Sequence, residues 1–241
     1  MSPEIPLSIA NLEKAYGALR PLRIQTLEIE AGSLVAVSGI DAPGAEMFTN
    51  LATGAVLPDR GEVRLFGAST AAITTPEDWL GLLDRVGIVT DRAVLLDSYT
   101  VAQNLAMPRT LDLDPLSSEL FEEARRLARE VGLPADSVTR QVSSLTVLER
   151  VRVRFGRALA LAPSLLLMEH PTASLEAGDS AAFASDVRRV VEARSLAAVA
   201  ITADRSFAEA ATPDVRELRP ADGALLPRAA VWGRVRRFLR R

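Results

Sequence analysis

No cysteine occurs among the 241 residues of this chain. That excludes disulfides, thiolate metal sites and a cysteine nucleophile together. Lysine is almost missing as well: Lys14 is the only one among 28 basic residues, and the others are arginine. His170 is the single histidine, and glutamine is confined to Gln25, Gln103 and Gln141. A role that requires an ammonium or an imidazole therefore has one candidate each. Apolar runs are short; the stretch 196–201 falls well below the roughly 20 residues needed to cross a bilayer. The opening, MSPEIPLSIANLEKAYG, carries no charged-then-apolar signal pattern. A net charge of -3 sets up no global field that would favour nucleic acid. The expectation is a cytosolic protein with no nucleic-acid partner.

What is present is ordinary for a globular chain: 48% apolar and 24% charged residues. A chain of this size buries roughly 70% of its unfolded surface, enough for a real core. Residues 7–10 and 23–30 alternate apolar and polar, which predicts half-buried strands. Leu34-Val35-Ala36-Val37 is a continuous apolar run and predicts a fully buried strand. Met47, Phe48, Leu51 and Ala52 then recur at helical spacing, and 62–67 alternate again. From 115 to 131, Leu120, Phe121, Ala124, Leu127, Ala128 and Val131 fall on one helical face, with Gly132 as a stop. Further helices are predicted near 148–161 and 180–194, and buried strands at 165–168 and 197–202. A hairpin is predicted around Asp222-Gly223. Strands alternating with helices imply an α/β domain with a parallel core, an antiparallel strand-rich opening and a helical insertion near 92–150.

The strand at 34–37 runs into Gly39-Ile40-Asp41-Ala42-Pro43-Gly44, followed by Ala45 and Glu46. Gly39 and Gly44 stand where a phosphate-cradling G-x-x-x-x-G-K-[ST] loop would have its glycines. Alone, two glycines five apart are weak support for such a loop. The rest of the chain adds to it. Asn11–Gly17, 28–37, 60–67, 86–91, 99–108, 157–163, 165–173, 174–176 and 201–204 resemble, in order and spacing, successive segments of the ATP-binding cassette of ABC transporters. The resemblance spans nearly the whole chain. It implies a P-loop NTPase-like ABC ATPase fold over 1–227: a parallel core sheet, an antiparallel β subdomain and an inserted helical subdomain. A basic tail, 228–241, would follow.

The departures from the family fall where it does its chemistry. Its Walker A lysine neutralises the β- and γ-phosphates, and the next Ser/Thr binds Mg²⁺. Here these positions hold Ala45 and Glu46. The Q-loop glutamine is Asp91, and the switch histidine is Ala203. The Leu-Ser-Gly-Gly-Gln signature reads Leu145-Thr146-Val147-Leu148-Glu149. The Walker B aspartate is Glu169, and the carboxylate that polarises water is His170. Loss of a charge-assisted lysine contact removes about 1.5–3 kcal/mol. A carboxylate about 4 Å from a phosphate charge adds repulsion of about 4 kcal/mol at an effective dielectric of ~20, unless a metal lies between them. Lys14, near the aromatic opening, does not rescue the loop. An arginine such as Arg92 is the alternative, and nothing in the sequence places it there.

Each feature has a plainer reading beside the functional one. Gly39 and Gly44 either retain phosphate binding or let a strand turn into a helix. Tyr16 either stacks on adenine or packs. Glu46, Asp91 and Glu169 are either a metal set or solvated acids in a disused cleft. His170 is either a general base, titrating near neutrality, or a structural substitution. Val147 and Leu148 are expected to form an apolar packing patch. The tail, with Trp232, Val235, Phe238 and Leu239 among arginines, is either an amphipathic segment for an anionic membrane surface or a partner groove, or a solubilising end.

The resemblance implies ATP and Mg²⁺ as family cofactors, a permease gripped near 91–108, and pairing with an identical or different cassette. The protein would then lie peripherally on the inner face of the cell membrane. The leading expectation is a degenerate subunit that supports a transporter without efficient hydrolysis. Residues 100–108 also resemble ATPases of lipid-trafficking importers linked to mammalian cell entry. The alternatives are an active ATPase rewired around Glu46, Glu169 and His170, and a regulatory module that uses the fold outside transport.

Overall fold

A computed structural model describes residues 5–227. The basic tail lies outside the described residues. The chain opens with β1 (Leu7–Lys14), β2 (Leu22–Ile29), β3 (Leu34–Ser38), α1 (Ala42–Ala52), β4 (Arg60–Leu65) and β5 (Ala68–Ser69). Next come α2 (Pro76–Leu83), β6 (Val86–Val89), α3 (Val101–Ala106), α4 (Ser118–Glu130) and α5 (Val147–Leu159). The remainder is β7 (Leu165–Glu169), α6 (Ala177–Arg194), β8 (Ala197–Ile201), α7 (Arg205–Ala211), β9 (Val215–Arg219) and β10 (Ala224–Pro227).

Two sheets form. An antiparallel one has the order β2-β1-β4-β5, and a six-stranded one has the order β10-β9-β3-β8-β7-β6. In the larger sheet every pair is parallel except β10 with β9, the predicted hairpin. Central strands of a covered parallel sheet bury both faces, which explains their unbroken apolar runs. Alternate residues go to different cores. Leu34, Leu166, Met168, Ala198 and Ala200 join a cluster with the helices α3 to α6. Val35, Val37, Leu165, Leu167, Val199 and Ile201 face the antiparallel sheet and α1. Phe183 of α6 sits between Phe155 of α5, edge-on at 5.6 Å, and Phe207 of α7, stacked at 6.0 Å.

Helix starts follow local capping. Ser117 accepts the Leu120 amide, so α4 begins at Ser118, three residues after the start of the predicted 115–131 stretch. Thr100 with Gln103 opens α3, and Thr146 with Glu149 opens α5, each as a reciprocal capping box. Helix α6 starts at Ala177, ahead of the residue where the sequence pattern becomes regular. The parallel pairing puts the ends of β3, β6, β7 and β8 at one edge of the sheet. This is where open α/β sheets bind ligands. Residues 39–46, 90–92, 169–174 and 202–204 all emerge there.

Candidate functional site

Gly39 leaves β3 at φ 88°, and a Cβ on it would lie 2.9 Å from the Leu218 carbonyl oxygen, so no other residue fits without displacement. The turn is short, because α1 begins at Ala42. Asp41 is its N-cap, and Pro43 sits in the first turn, where a missing N–H costs nothing. The Gly44 amide donates to the Asp41 carboxylate at 2.8 Å, and the Ala45 amide donates to the Asp41 carbonyl at 2.8 Å. Two donors of the glycine loop are therefore bonded to the protein itself. Ile40 is buried at 6% exposure, and Ala45 is fully buried in the core beneath the antiparallel sheet.

Tyr16 reaches the same loop. Its hydroxyl donates to Asp41 Oδ1 at 3.4 Å. Burial and the neighbouring Asp41 carboxylate together push the phenol above its ordinary pKa. A cleft of about 500 Å³ lies in front of the ring, bordered by Arg20, Leu22, Gly39, Ile40 and Asp41. Lys14 is occupied elsewhere, paired with Asp59 at 2.8 Å.

Glu46 and Glu169 are brought together by a residue whose place the sequence did not reveal. Arg92, two positions past Thr90, donates to both Glu169 oxygens at 2.8 and 2.6 Å and forms an ion pair with Glu46. Its Nε also meets Thr90 Oγ1 at 3.3 Å. Glu169 is buried, whereas the Arg92 and Glu46 side chains are half exposed. Asp91 is exposed. Among the described residues no group of three or more His, Asp and Glu could hold a metal ion.

His170 follows β7 at φ 41°, a left-handed conformation, and its N–H donates a hydrogen bond to the Ile201 carbonyl at 2.8 Å. Its Nε2 is buried and has no hydrogen-bond partner among the described residues. The ring borders a narrow cleft with Asp91, Arg154 and Ser174. Ala203 is exposed beside Asp204. Asp204 accepts from the Thr172 hydroxyl at 2.9 Å and caps α7 through the Phe207 amide at 3.1 Å. Burial pushes the Asp204 pKa up, but donation from Ser180, Phe207, Thr172 and Ser206 outweighs it and holds the group below its ordinary value.

The signature-like residues divide. Leu145 is buried, and Thr146 caps α5. Glu149 turns inward, accepting the Thr146 amide at 2.8 Å and Arg140 at 3.0 Å. Leu148 packs against the core as expected, but Val147 does not: it is 51% exposed. The expected apolar packing patch is thus half right. Val147 is the first residue of α5 and points away from the face that α5 buries.

A family model described as ABC transporter matches residues 22–173. A lipoprotein-releasing system ATP-binding protein, LolD, of Maricaulis maris is 29% identical over 225 residues, covering 92% of this chain and 96% of its own. A ribose import ATP-binding protein, RbsA 2, of Agrobacterium fabrum is 28% identical over 83% of this chain. The chain spans 39% of that relative's length and 58% of an Fe(3+) ions import ATP-binding protein from Mesorhizobium japonicum. Among solved structures, cbiO1 of Clostridium perfringens, described as part of the ABC transporter complex cbiONQ, superposes with a TM-score of 0.74 at 16% identity, covering 95% of this chain and 91% of that one. At that identity the likeness concerns the fold. The family match, the relatives and the cassette architecture agree: this chain belongs to the ABC transporter family and carries its ATP-binding cassette domain.

Proposed function

We propose that this chain is a subunit of a membrane ABC transporter that docks a permease and pairs with a second cassette without hydrolysing ATP efficiently. The observation that carries this reading is the state of the glycine loop. In the family this loop holds phosphates with backbone N–H groups. Here the loop is wound into α1 from Ala42, and Asp41 takes the Gly44 and Ala45 donors.

The residues present do not fit MgATP held in the family's manner. Ala45 supplies no ammonium, and Glu46 and Asp41 bring negative charge to the phosphate side. The Tyr16 hydroxyl is turned toward Asp41. The cleft in front of Tyr16 leaves room for a flat group, but the phosphate end of such a ligand meets carboxylates.

The family membership and the cassette fold, shared along nearly the whole chain, support permease docking near 91–108 and pairing with an identical or different cassette. No described helix is long and apolar enough to cross a membrane. A peripheral position on the inner face of the cell membrane agrees with that. Within the family we favour the lipid-trafficking importers linked to mammalian cell entry, on the resemblance of residues 100–108. Relatives matched along nearly their whole length are named as lipoprotein-releasing ATP-binding proteins.

A second reading, a rewired ATPase, draws on His170, whose Nε2 has no partner. It requires Glu46 and Glu169 to exchange Arg92 for Mg²⁺. Calorimetry with MgATP and phosphate release by the purified chain, alone and with copurifying membrane subunits, separates the two. The expected outcome is no binding isotherm and no release by the isolated chain. Clear turnover by the isolated chain would establish the rewired enzyme instead.

A further inference from the structure

Arg92 touches two distant elements, Glu46 on α1 and Glu169 at the end of β7, and also Thr90 two residues before it. In the family, the positions matched by Glu46 and Glu169 share a divalent cation. Here a guanidinium stands between them. A carboxylate as buried as Glu169 needs a cation in contact; Arg92 reaches both of its oxygens through one nitrogen, Nη2, while Nη1 faces Glu46 and Nε faces Thr90, a spread of donors that a compact ammonium does not offer.

The segment that begins at Arg92 is held from its other side too. Three arginines of α5, at spacings of four and three, fall on one helical face. Arg150 pairs with Asp97 at 2.9 Å, Arg154 donates to the Ala93 carbonyl at 3.4 Å, and Arg157 donates to the Val94 carbonyl at 2.6 Å. Burial, with Arg154 close by, pulls the Arg157 pKa below its ordinary value. Asn104 of α3, fully buried, closes the set by donating to the Leu96 carbonyl at 3.0 Å and accepting the Leu96 amide at 2.9 Å. Residues 92–97 are thus fastened to the core at one end and to the helical unit along their length.

We propose that Arg92 is a resident counter-cation: it stands where a nucleotide-bound divalent ion would stand and locks the 92–97 segment, and with it the helical unit, to the core without nucleotide or metal. The proposal rests on the non-hydrolysing reading above and adds how the site is kept in one state. A segment that in other cassettes could answer to a ligand is here answered by an amino acid of the same chain.

Hydrogen exchange across 92–97 tests this on the full chain. In the wild-type protein the hydrogen-bonded amides of Ala93 and Leu96 should exchange slowly, at the same rate with and without MgATP. In R92A their exchange should rise about tenfold or more, with the central strands β3, β7 and β8 unchanged, because a local opening has lost its lock. R92K, which keeps the charge but cannot reach Glu169, Glu46 and Thr90 together, should fall between the two. Should R92A fail to fold, R92K and E46Q carry the test, each with a smaller rise confined to this segment. Unchanged exchange in every variant overturns the proposal, and so does wild-type exchange that slows or quickens when MgATP is added. Phosphate release by the wild-type chain with 92–97 exchange indifferent to MgATP and raised in R92A would instead defeat only the non-hydrolysing reading.

Discussion

The Asp41 carboxylate accepts the Gly44 amide at 2.8 Å, so the loop that would hold a phosphate is held by its own aspartate. The bond serves two ends. It caps α1, and it removes a donor from the phosphate side. Asp41→Ala therefore loses a helix cap and should destabilise the fold by about 1 kcal/mol, the usual cost of such a change. The urea midpoint should fall with an unchanged slope. MgATP affinity should not appear in this variant, because the Ala45 amide stays bonded to the Asp41 carbonyl and Arg92 stays in place. A heat of nucleotide binding in Asp41→Ala would show that the aspartate alone had closed the site.

Restoring the family's charges gives the complementary result. The triple variant A45K/E46T/R92Q supplies a lysine, a hydroxyl for a metal and a free Glu169. One charge-assisted lysine contact amounts to about 1.5–3 kcal/mol, so MgATP affinity should rise at least about tenfold over wild type. The lysine stem has to cross the space of a fully buried methyl and carry its ammonium outward, which costs some stability. Calorimetry reads the gain and thermal melting the cost. Equal affinity in triple variant and wild type would mean that these three positions are not what keeps nucleotide out.

His170 separates the enzyme reading from the leading one. A general base contributes roughly 10²–10⁴-fold to a rate. If this chain does not hydrolyse ATP, H170A leaves phosphate release by the chain and its copurifying partners where it was. A drop of that size in H170A, with the complex still assembled on a sizing column, would sink the non-hydrolysing reading. The left-handed φ of His170 makes alanine slightly strained there, so H170N, which tolerates that conformation better, serves as the control.

The parts of this molecule that could be read from sequence are those set by local rules. Leu34–Val37 and Leu165–Met168 are apolar without a break because both faces of a central parallel strand are covered, and they fold as expected. Asp222-Gly223 predicts its hairpin because a tight turn needs positive φ, and Gly223 has φ 79°. The early start of α1 was also written in the chain. Asp41 with Pro43 two residues on is a helix-start signal, but the glycine spacing drew attention to a loop instead. Arg92 left no such trace. Nothing local says which way an arginine one residue past Asp91 will turn, because its partners, Glu46 and Glu169, lie 46 and 77 positions away and meet only through sheet order. Val147 failed for a related reason: its apolar character suggested packing, and its place at the first turn of α5 turned it outward.

Acid should loosen the site edge through Asp204 before the carboxylates there are fully protonated. The folded protein holds Asp204 below its unfolded value of 3.8, since four donors outweigh the burial that pushes it up. Glu149 follows the same rule: burial raises it, but the Thr146 amide and hydroxyl and the Arg140 guanidinium hold it below 4.5. A depressed carboxylate contributes stability that is complete above the unfolded pKa and lost as pH falls through the lower, folded one. The loss should therefore set in below about pH 4.5 and continue beneath 3.8, with the neutral range flat as far as these two groups are concerned. Urea midpoints between pH 7 and pH 3 measure it. Asp204→Asn should be less stable than wild type at pH 7, because Thr172, Ser180 and two α7 amides lose a charged acceptor, and the gap should narrow toward pH 3 as wild type gives up the same interaction. A gap that stays constant over that range would mean that the Asp204 contacts stabilise the fold through shape rather than charge.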